Sequence, residues 1–462
     1  MKIAARTVVV LLLIAYSVML IRHRSQAAAG SDSSGYLNEA RMMRRGEVAR
    51  PIRSLVQLRI GSSWADAFMP LGFVPWFKDR RLLVPTYPAG LPAHFAIAGD
   101  SGSFLIPPLA GILSVILMFV LGRQLGLTEP QSVAGAAVLG ATAVFLMFAE
   151  EPMSDGVATM WTLATMVLAL ASVRRRGLFA AAAGIAFAIS VCVRPTNLLM
   201  AIPLVVAMRY RLRAISIAAA AALPIGVALM LWNHTLYGSY FSTGYGSVVD
   251  LLAWSHPRQR LPHYSYWLAA QLTPLVFPIG LIADRRNRAL VLAWFFPLFI
   301  FYCFYESYDA WWYTRFLLPA IPPLIIGFLL VARRFRLWPI AIAVVLAVAV
   351  WQDRRLHPLA IAQEESIYPQ TMRWVSGRLP PNAIVLSMQF SGSFLYYLDR
   401  ETVRYDLIDN NRFQELRAYA GGANLRWYAV LMDFELERFP LAGKWTPVAK
   451  TDRGVSLLRL DD

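Results

Sequence analysis

Three acids and two arginines stand at the ends of apolar segments, where charged side chains can meet both water and a substrate. Asp32 follows the first apolar run, Glu151 and Asp155 lie in an acidic turn, and Arg194 and Arg315 each stand at the mouth of a later apolar run. A carboxylate can take a proton from a hydroxyl, and a guanidinium can hold a phosphate through charge-assisted, bidentate hydrogen bonds. The pattern predicts a site that combines one base with one cation.

Each of these residues also has a plainer interpretation. Acids at a membrane surface are commonly solvated loop residues, and Ser154 or Asp155 could simply cap the helix that follows them. A carboxylate there also suits the helix dipole. Arginines at span ends often snorkel to the membrane interface without binding a ligand. Both interpretations stay open for each residue.

Composition places these residues in a membrane protein. Hydrophobic residues make up 57% of the 462, charged residues make up 16%, and the mean hydropathy is +0.49. These values differ from those of an ordinary soluble domain. Apolar stretches without charges predict about eleven transmembrane helices, at 7–21, 101–122, 130–149, 156–173, 178–193, 195–208, 214–232, 264–283, 289–304, 316–332 and 337–352.

Basic clusters predict the orientation of these spans, because Lys and Arg concentrate in short cytoplasmic loops. The clusters at 174–176, 209–213, 285–288 and 333–336 all fall on one side if every stretch crosses once. If 178–208 were a single crossing, two of these four clusters would lie outside the cytoplasm. We therefore predict two short spans in this segment. We therefore expect a multi-pass membrane protein with its N-terminus in the cytoplasm and its C-terminus outside. We interpret the first apolar run as an uncleaved membrane anchor. Arg22, His23 and Arg24 follow it directly, which does not fit a cleavable signal peptide.

Two further features narrow the class of function. The net charge of +16 resides largely in clusters between spans, which suits anionic lipid headgroups and argues against a nucleic-acid partner. Cys192 and Cys303 both lie in apolar stretches and provide neither a disulfide framework nor a metal site. The lipid bilayer is thus the first predicted partner.

Composition changes after the last span, which divides the chain into two predicted domains. Residues 1–352 form the membrane domain with a large first outer loop at 22–100, and residues 353–462 form a soluble extracytoplasmic α/β module. Its predicted elements are helices near 367–378, 391–398 and 411–419 and strands at 383–388, 402–406, 427–432, 445–449 and 455–460. The module lacks a phosphate loop, a metal-spaced set and a nucleophile elbow, so we interpret it as an accessory domain.

Several short motifs occur in order on the predicted outer face. They are the acid after span one, Tyr-Pro-Ala-Gly-Leu-Pro at 87–92, Glu-Pro-Met-Ser-Asp at 151–155, Arg-Pro-Thr-Asn at 194–197, the Gly/Ser/Tyr-rich run at 237–246 and Arg-Phe-Leu-Leu-Pro at 315–319. Together they resemble bacterial GT-C membrane glycosyltransferases, in the branch of the protein O-mannosyltransferases and the aminoarabinose transferase of lipid A. The resemblance covers about 1–350.

The resemblance implies an enzyme that moves a monosaccharide from a polyprenyl-phosphate donor to an acceptor on the outer face, with inversion. It implies that Asp32 is the catalytic base and that Glu151 is the second acid, with Asp155 a neighbouring candidate. Candidate substrate-binding residues in its motifs are Tyr87, Asn197, Tyr245, Arg194 and Arg315. The acceptor could be a glycan, a lipid or a protein, and the sugar a hexose or a pentose.

The sequence departs from the family in its first loop, where Ser33 follows Asp32 and a second acid is often found. Glu39 is the nearest replacement for that acid. A phosphate leaving group needs a cation and no second carboxylic acid, so one base with an arginine fits better than a two-acid glycosidase. Less favoured cations are Lys78, Arg258 and Arg260. Oxygen ligands on Asp32 or Glu151 would suit a divalent metal ion, but no spacing requires one.

Two other classes of function remain open. A transporter or flippase of lipid-linked or small solutes would place ionisable residues near the bilayer midplane, whereas these predicted spans contain no Asp, Glu, Lys or Arg. A catalytically silent assembly protein would use the C-terminal module for partners and would tolerate the loss of Asp32.

Overall fold

A computed structural model describes residues 2–174, 177–421 and 425–461, so Arg175 and Arg176 of the first basic cluster lie outside the described residues. The helices up to the C-terminal module are α1 Lys2–His23, α2 Asp32–Arg44, α3 Arg53–Gln57, α4 Gly90–Ser103, α5 Ile106–Gln124, α6 Glu129–Gly140, α7 Ala143–Phe148, α8 Ser154–Ser172, α9 Leu178–Val193, α10 Ala201–Ala207, α11 Leu212–Tyr237, α12 Pro257–Val276, α13 Arg288–Phe304, α14 Ile321–Ala332 and α15 Trp338–Leu356. Short 3-10 helices occur at Ser62–Phe68, Pro195–Met200, Val248–Leu251, Ile279–Leu281 and Trp311–Ala320.

All eleven apolar stretches are helical, although several are divided. The stretch 130–149 is split into α6 and α7, and 195–208 and 316–332 each begin as a 3-10 helix. Among the described residues, five helical segments are long and apolar enough to cross a membrane: Arg6–His23, Ile106–Gln124, Ser154–Ser172, Leu212–Tyr237 and Trp311–Ala332. Shorter apolar helices lie at Leu178–Val193, Pro195–Ala207 and Arg288–Phe304. Eleven crossings therefore stays a prediction, as does the orientation of the termini.

The first loop, 22–100, is more ordered than a surface loop. The helix α2 begins at Asp32 itself, and the strands β1 Arg50–Pro51, β2 Phe73–Pro75 and β3 Leu82–Pro85 form an antiparallel sheet in the order β1-β3-β2. Gly35 lets this sheet and the end of β3 approach α2, because a Cβ at that position would lie 2.2 Å from the ring of Tyr87. The loop thus holds an aromatic side chain directly against the helix that carries the acid.

The C-terminal module is a four-stranded sheet covered by helices. Its strands are β4 Ala383–Leu386, β5 Arg426–Met432, β6 Lys444–Lys450 and β7 Val455–Asp461, in the order β4-β5-β7-β6 with only β4 and β5 parallel among them. Its helices are α16 Ile361–Glu365, α17 Ile367–Ser376, α18 Ser391–Leu398, α19 Asn410–Gly421 and α20 Asp433–Leu436, with 3-10 turns at Pro358–Ala360 and Tyr405–Leu407.

The predicted strand at 402–406 is wrong. Val403 makes a single bridge to Leu386, and a 3-10 turn begins at Tyr405. The reason is that the backbone N–H of Arg404 donates to the carbonyl of Ala67 in the first loop, at 2.7 Å, and leaves the sheet.

The first loop and the C-terminal module share one hydrophobic core. Trp64, Phe68 and Phe73 from the loop belong to the same buried cluster as Phe413 and Trp427 from the module. Burying a large apolar side chain contributes roughly 1.5–3 kcal/mol. The segment before Asp32 is held in addition by backbone contacts: the N–H of Ala28 donates to the hydroxyl of Tyr397 at 2.9 Å, and its carbonyl accepts from Ser393 at 2.6 Å. The module therefore fixes the start of α2.

Candidate active site

Asp32 lies in the first turn of α2 with its carboxylate held from two sides. The hydroxyl of Tyr87 donates to Oδ1 at 2.8 Å, and Nη2 of Arg315 donates to Oδ2 at 3.2 Å. The Asp32 side chain remains 28% exposed, so a substrate hydroxyl can still approach it. The structure thus brings a carboxylate and a guanidinium together, as the sequence predicts for a base and a cation.

Arg315 comes from the 3-10 helix that leads into α14, and its side chain is only 14% exposed. Its guanidinium packs on three aromatic rings, with centroid distances of 5.5 Å to Phe148, 5.3 Å to Tyr313 and 5.3 Å to Phe316. Within the described part of the chain, its buried Nε has no hydrogen-bond partner. A buried charged donor without a partner is costly, so this N–H is well suited to receive an anion.

Arg194 and Asp155 form a second buried ion pair beside the first. Nη1 of Arg194 donates to Oδ1 of Asp155, and its Nε donates to the hydroxyl of Tyr302 at 3.1 Å. Asp155 lies in the first turn of α8 with its side chain only 2% exposed, and the residue before Ser154 makes no side-chain cap. This carboxylate is committed to an arginine, and it is less available than Asp32 to take a proton from a substrate.

Tyr302 was not singled out in the sequence, because it lies within an aromatic, apolar run in α13. Its ring stacks on Phe316 at 5.2 Å and its hydroxyl lies 2.6 Å from Oγ1 of Thr196. Tyr302 therefore connects Thr196, near Arg194, with Phe316, which follows Arg315. The alternation of Tyr302 and Tyr305 among phenylalanines is the only signal in the sequence that could have found it.

The predicted aromatic residues meet beside Asp32. Tyr87 is buried against Tyr36, with ring centroids 4.5 Å apart, and its hydroxyl lies 2.7 Å from Oγ of Ser31. The ring of Tyr245 lies edge-on to Tyr87 at 5.7 Å. Gly244 allows this approach, since a Cβ there would lie 2.3 Å from Cα of Thr86. The Gly/Ser/Tyr-rich run 237–246 is thus brought against the acid, with Tyr245 half-exposed.

Glu151 lies in the turn before α8, close to a second glutamate. The carboxyl group of Glu365 in α16 acts electrostatically on that of Glu151, and the hydroxyl of Ser25 donates to Oε2 of Glu365. Burial, reinforced by the neighbouring carboxyl group, raises the pKa of Glu151 well above its usual range. Glu365 was missed because its sequence surroundings show no motif.

The two remaining candidates, Glu39 and Asn197, have internal surroundings. Glu39 is fully buried, its carboxyl oxygens have no partner among the described residues, and burial raises its pKa. Asn197 is buried and donates to the carbonyl of Ser190 at 3.3 Å. These contacts indicate internal roles at the first loop and at the break between α9 and α10.

The alternative cations have other surroundings. Lys78 packs over Trp76 at 5.1 Å, Arg260 pairs with Asp309 at 2.8 Å, and Arg258 is exposed. In the described ranges, no group of three or more His, Cys, Asp or Glu side chains is arranged to hold a metal ion. The cation beside Asp32 is therefore Arg315.

Comparison with known proteins gives a match in structure only. No protein-family model and no curated protein matches the chain. The crystal structure of ArnT from Cupriavidus metallidurans in the apo state matches with a TM-score of 0.60 over 98% of each chain, at 15% identity. The same protein bound to undecaprenyl phosphate matches with a TM-score of 0.62 over 97% of each chain, at 14% identity.

A third solved structure is the archaeal oligosaccharyltransferase AglB from Archaeoglobus fulgidus, in complex with an inhibitory peptide and a dolichol-phosphate. It matches with a TM-score of 0.51 over 94% of this chain and 70% of that chain, at 12% identity. ArnT and AglB are both GT-C glycosyltransferases. The expected GT-C fold is confirmed by these matches.

Proposed function

We propose that this chain, which has the GT-C fold, is an integral membrane glycosyltransferase that moves a monosaccharide from a polyprenyl-phosphate donor to an acceptor hydroxyl. The observation that carries the proposal is the contact of Arg315 with Asp32, because a cation whose buried Nε–H has no partner among the described residues then lies beside a carboxylate. Undecaprenyl phosphate in one matching structure and dolichol-phosphate in another support a lipid phosphate as the ligand.

In the proposed reaction, Asp32 accepts the proton of the acceptor hydroxyl as its oxygen forms a bond to the anomeric carbon. The bond between that carbon and the phosphate oxygen breaks, and its electron pair leaves with the polyprenyl phosphate. A single displacement from the opposite face inverts the anomeric configuration. The proton needs a base within about 2.6–3.2 Å of the hydroxyl, and the exposed part of Asp32 allows that approach.

Arg315 would stabilise the leaving phosphate as negative charge develops on it. Electrostatic stabilisation of this kind is strongest where water is excluded, and the rings of Phe148, Tyr313 and Phe316 surround the guanidinium. Arg194, already paired with Asp155, has a positioning role in this proposal: it ties α8 to α13 through Tyr302. Tyr87 would orient Asp32.

We place this reaction on the outer face of a bacterial inner membrane, with the N-terminus in the cytoplasm and the C-terminal module outside. Arg315 contacts Asp32 of the first loop, 22–100, which connects the site to that loop. Charge clusters between spans support this orientation. The acceptor would approach between the first loop and the run 237–246, where Tyr245 is half-exposed.

The test is transfer of radiolabelled sugar from a panel of polyprenyl-phosphate monosaccharides in membranes that contain the native chain or Asp32→Asn at matched expression. Donor-dependent labelling that disappears with Asp32→Asn supports the enzyme and its base together. Labelling that survives would move the base to Glu151 or Asp155. An absence of labelling, with movement of lipid-linked solute across the membrane, would favour a transporter.

A further inference from the structure

Two cavities lie at the end of α2, on neighbouring faces of one helical turn. Met42 belongs to the lining of the first cavity and Met43 to the lining of the second. Met42 follows Asp32 by ten residues, which is about 15 Å along an α-helix, and neither lining includes Asp32 or Arg315. The two cavities are therefore separate from the candidate active site.

The first cavity is small and polar. It lies where α2 and β1 meet α18 of the C-terminal module, and its volume is about 50 Å³. Its polar lining residues are Asn38, Arg41, Arg45, Arg50, Tyr396 and Asp399. A cavity that holds one water needs roughly 10–15 Å³, so this one has room for a group as small as a phosphate.

The arginines around this cavity outnumber the acids that pair with them. Arg41 and Arg44 share a single carboxylate, that of Asp100. The guanidinium of Arg41 lies 3.5 Å from the centroid of the Tyr396 ring, which holds it against α18. Arg45 makes no side-chain hydrogen bond or ion pair with any described residue. Positive charge without a counterion therefore lines the cavity.

Arg50 is the most enclosed arginine of the lining, because its side chain is only 15% exposed. Nη2 of Arg50 and Nη1 of Arg53 lie 2.6 and 3.0 Å from the carboxylate oxygens of Asp399, and Arg53 also lies 3.5 Å from Glu401. Guanidinium groups bind phosphate through charge-assisted, often bidentate hydrogen bonds. Three arginines in a cavity of this size therefore indicate a site for a phosphate.

The second cavity is larger and apolar, with a volume of about 330 Å³. It lies between the end of α2, the start of α4 and α11, and its lining includes Met43, Val48, Ala89 and Trp232. Among the described residues that line it, Glu47 alone is charged. Such a lining suits a hydrocarbon chain, because the transfer of apolar surface out of water is favourable.

Trp232 connects this cavity to the membrane. It lies near the end of α11, a helix long and apolar enough to cross a membrane, in which Ala218 and Leu236 are the only buried residues. The rest of α11 is at least partly exposed, so a lipid chain can enter the cavity from the bilayer. Nε1 of Trp232 is buried without a hydrogen-bond partner among the described residues, and a lipid ester carbonyl could accept from it.

We propose that the end of α2 binds an anionic phospholipid, whose phosphate is held by Arg41, Arg45 and Arg50 and one of whose hydrocarbon chains fills the cavity beside Trp232. The proximity of a cationic cavity and an apolar cavity on one helical turn carries this inference. It goes beyond the proposed function, because the site shares no residue with Asp32 and Arg315. A lipid in this position would join α2 to both the C-terminal module and α11.

The test is binding of phosphatidylglycerol to the purified full-length chain, with native mass spectrometry as the readout and phosphatidylcholine of the same chain length as the reference. Phosphatidylglycerol is anionic, whereas phosphatidylcholine would bring its choline cation near the arginines. We expect the native chain to bind phosphatidylglycerol more tightly. In Arg45→Gln that affinity should fall about tenfold, because a hydrogen bond from a charged donor is lost.

Val48→Phe tests the apolar cavity, since a larger side chain would occupy the space proposed for the lipid chain. It should weaken phosphatidylglycerol and leave the binding of glycerol phosphate, which has the charged group without the chains, unchanged. Arg45→Gln should weaken both probes. Equal affinities of the native chain for glycerol phosphate and phosphatidylglycerol would overturn the lipid in favour of a free phosphate.

Arg59→Gln is the matched control, since Arg59 is an exposed arginine of the same loop that lines neither cavity. It should bind phosphatidylglycerol as the native chain does. Equal affinities for the two phospholipids, or an unchanged affinity in Arg45→Gln, would overturn the proposal. Thermal unfolding of each variant separates loss of binding from loss of fold.

Undecaprenyl phosphate distinguishes this site from the one proposed for sugar transfer. Arg45→Gln should bind it normally, whereas Arg315→Gln should lose it and keep phosphatidylglycerol. Loss of undecaprenyl phosphate in Arg45→Gln would overturn the proposal, because the cavity would then belong to the donor site. Phosphatidylglycerol binding that depends on Arg45, without sugar transfer from any donor, would remove the enzyme and leave the lipid site.

Discussion

Nη2 of Arg315 lies 3.2 Å from Oδ2 of Asp32, so the guanidinium and the carboxylate are in direct contact. Tyr87 holds the other carboxylate oxygen, and aromatic rings fix the guanidinium. In the proposed reaction these two side chains have opposite tasks: Asp32 removes a proton and Arg315 stabilises a leaving phosphate. Each side chain can be removed separately.

Asp32→Asn should abolish the base while preserving the shape of the site. General-base catalysis contributes roughly 10²–10⁴-fold, so we expect sugar transfer to fall by about that factor with donor binding retained. Asp100→Asn is the control, because Asp100 is a half-exposed acid of the same loop that pairs with Arg41 and Arg44. Initial transfer rates at saturating donor measure both, and comparable losses in the two variants would contradict the assignment.

Arg315→Gln should weaken binding of a polyprenyl phosphate. A hydrogen bond to a charged group contributes roughly 1.5–3 kcal/mol, which corresponds to about a 10- to 100-fold loss of affinity. Arg81→Gln removes an exposed arginine that pairs with Asp79 and should bind normally. The measurement is equilibrium binding of undecaprenyl phosphate to each variant. Unchanged affinity in Arg315→Gln would mean that the phosphate binds elsewhere.

Tyr87→Phe removes one hydroxyl from Asp32 and keeps the ring packed against Tyr36. We expect kcat to fall about tenfold, because a hydrogen bond to a charged group contributes roughly 1.5–3 kcal/mol and this hydrogen bond orients the base. The unfolding temperature should change little. Tyr419→Phe, an exposed tyrosine of the C-terminal module, serves as the comparison. A rise in KM alone would instead assign Tyr87 to substrate binding.

Asp155→Asn should destabilise the fold by leaving Arg194 buried without its counterion. Breaking one partner of a buried ion pair costs roughly 3–5 kcal/mol. The double variant Asp155→Asn/Arg194→Gln removes both charges and should recover part of that loss. Unfolding free energies of the two single variants and the double variant form a cycle, and simple additivity would show that the two side chains are not coupled.

Glu150→Gln should change how stability depends on pH. Burial raises the pKa of Glu150 to about 9, so the folded protein holds this proton more tightly than the unfolded chain. Protonated Glu150 therefore contributes to the free energy of unfolding. This contribution is fully present below the ordinary glutamate pKa and is lost as the pH rises toward about 9, at up to about 1.4 kcal/mol per pH unit. Thermal unfolding from acid to alkaline pH should therefore be flatter in Glu150→Gln.

Glu437→Gln is the control for this comparison, since Glu437 is exposed. Its unfolding curve should decline with pH as the native curve does. Parallel curves for the native chain and Glu150→Gln would mean that Glu150 ionises in the folded protein without cost.

The apolar runs were enough to predict the helices, because periodicity is a local property, and the motifs that carry the family resemblance were enough to name Asp32, Arg315, Tyr87 and Tyr245 as candidate site residues. Pairings between distant segments were not predictable. The strand at 402–406 failed because Arg404 donates to Ala67, and Glu365 was missed because Glu151, on which it acts, belongs to another part of the chain. Nothing in a local pattern specifies either partner.

The common core of the first loop and the C-terminal module has a consequence for biosynthesis. Ala28, just before the acid, is hydrogen-bonded to Ser393 and Tyr397, and the ribosome adds Ser393 365 residues after Ala28. Chains are made at about 5–20 residues per second, so the acid waits many seconds for its enclosure. A nascent chain that has not reached Ser393 would carry Asp32 without these contacts, so the proposed activity would arise only after the module has been made.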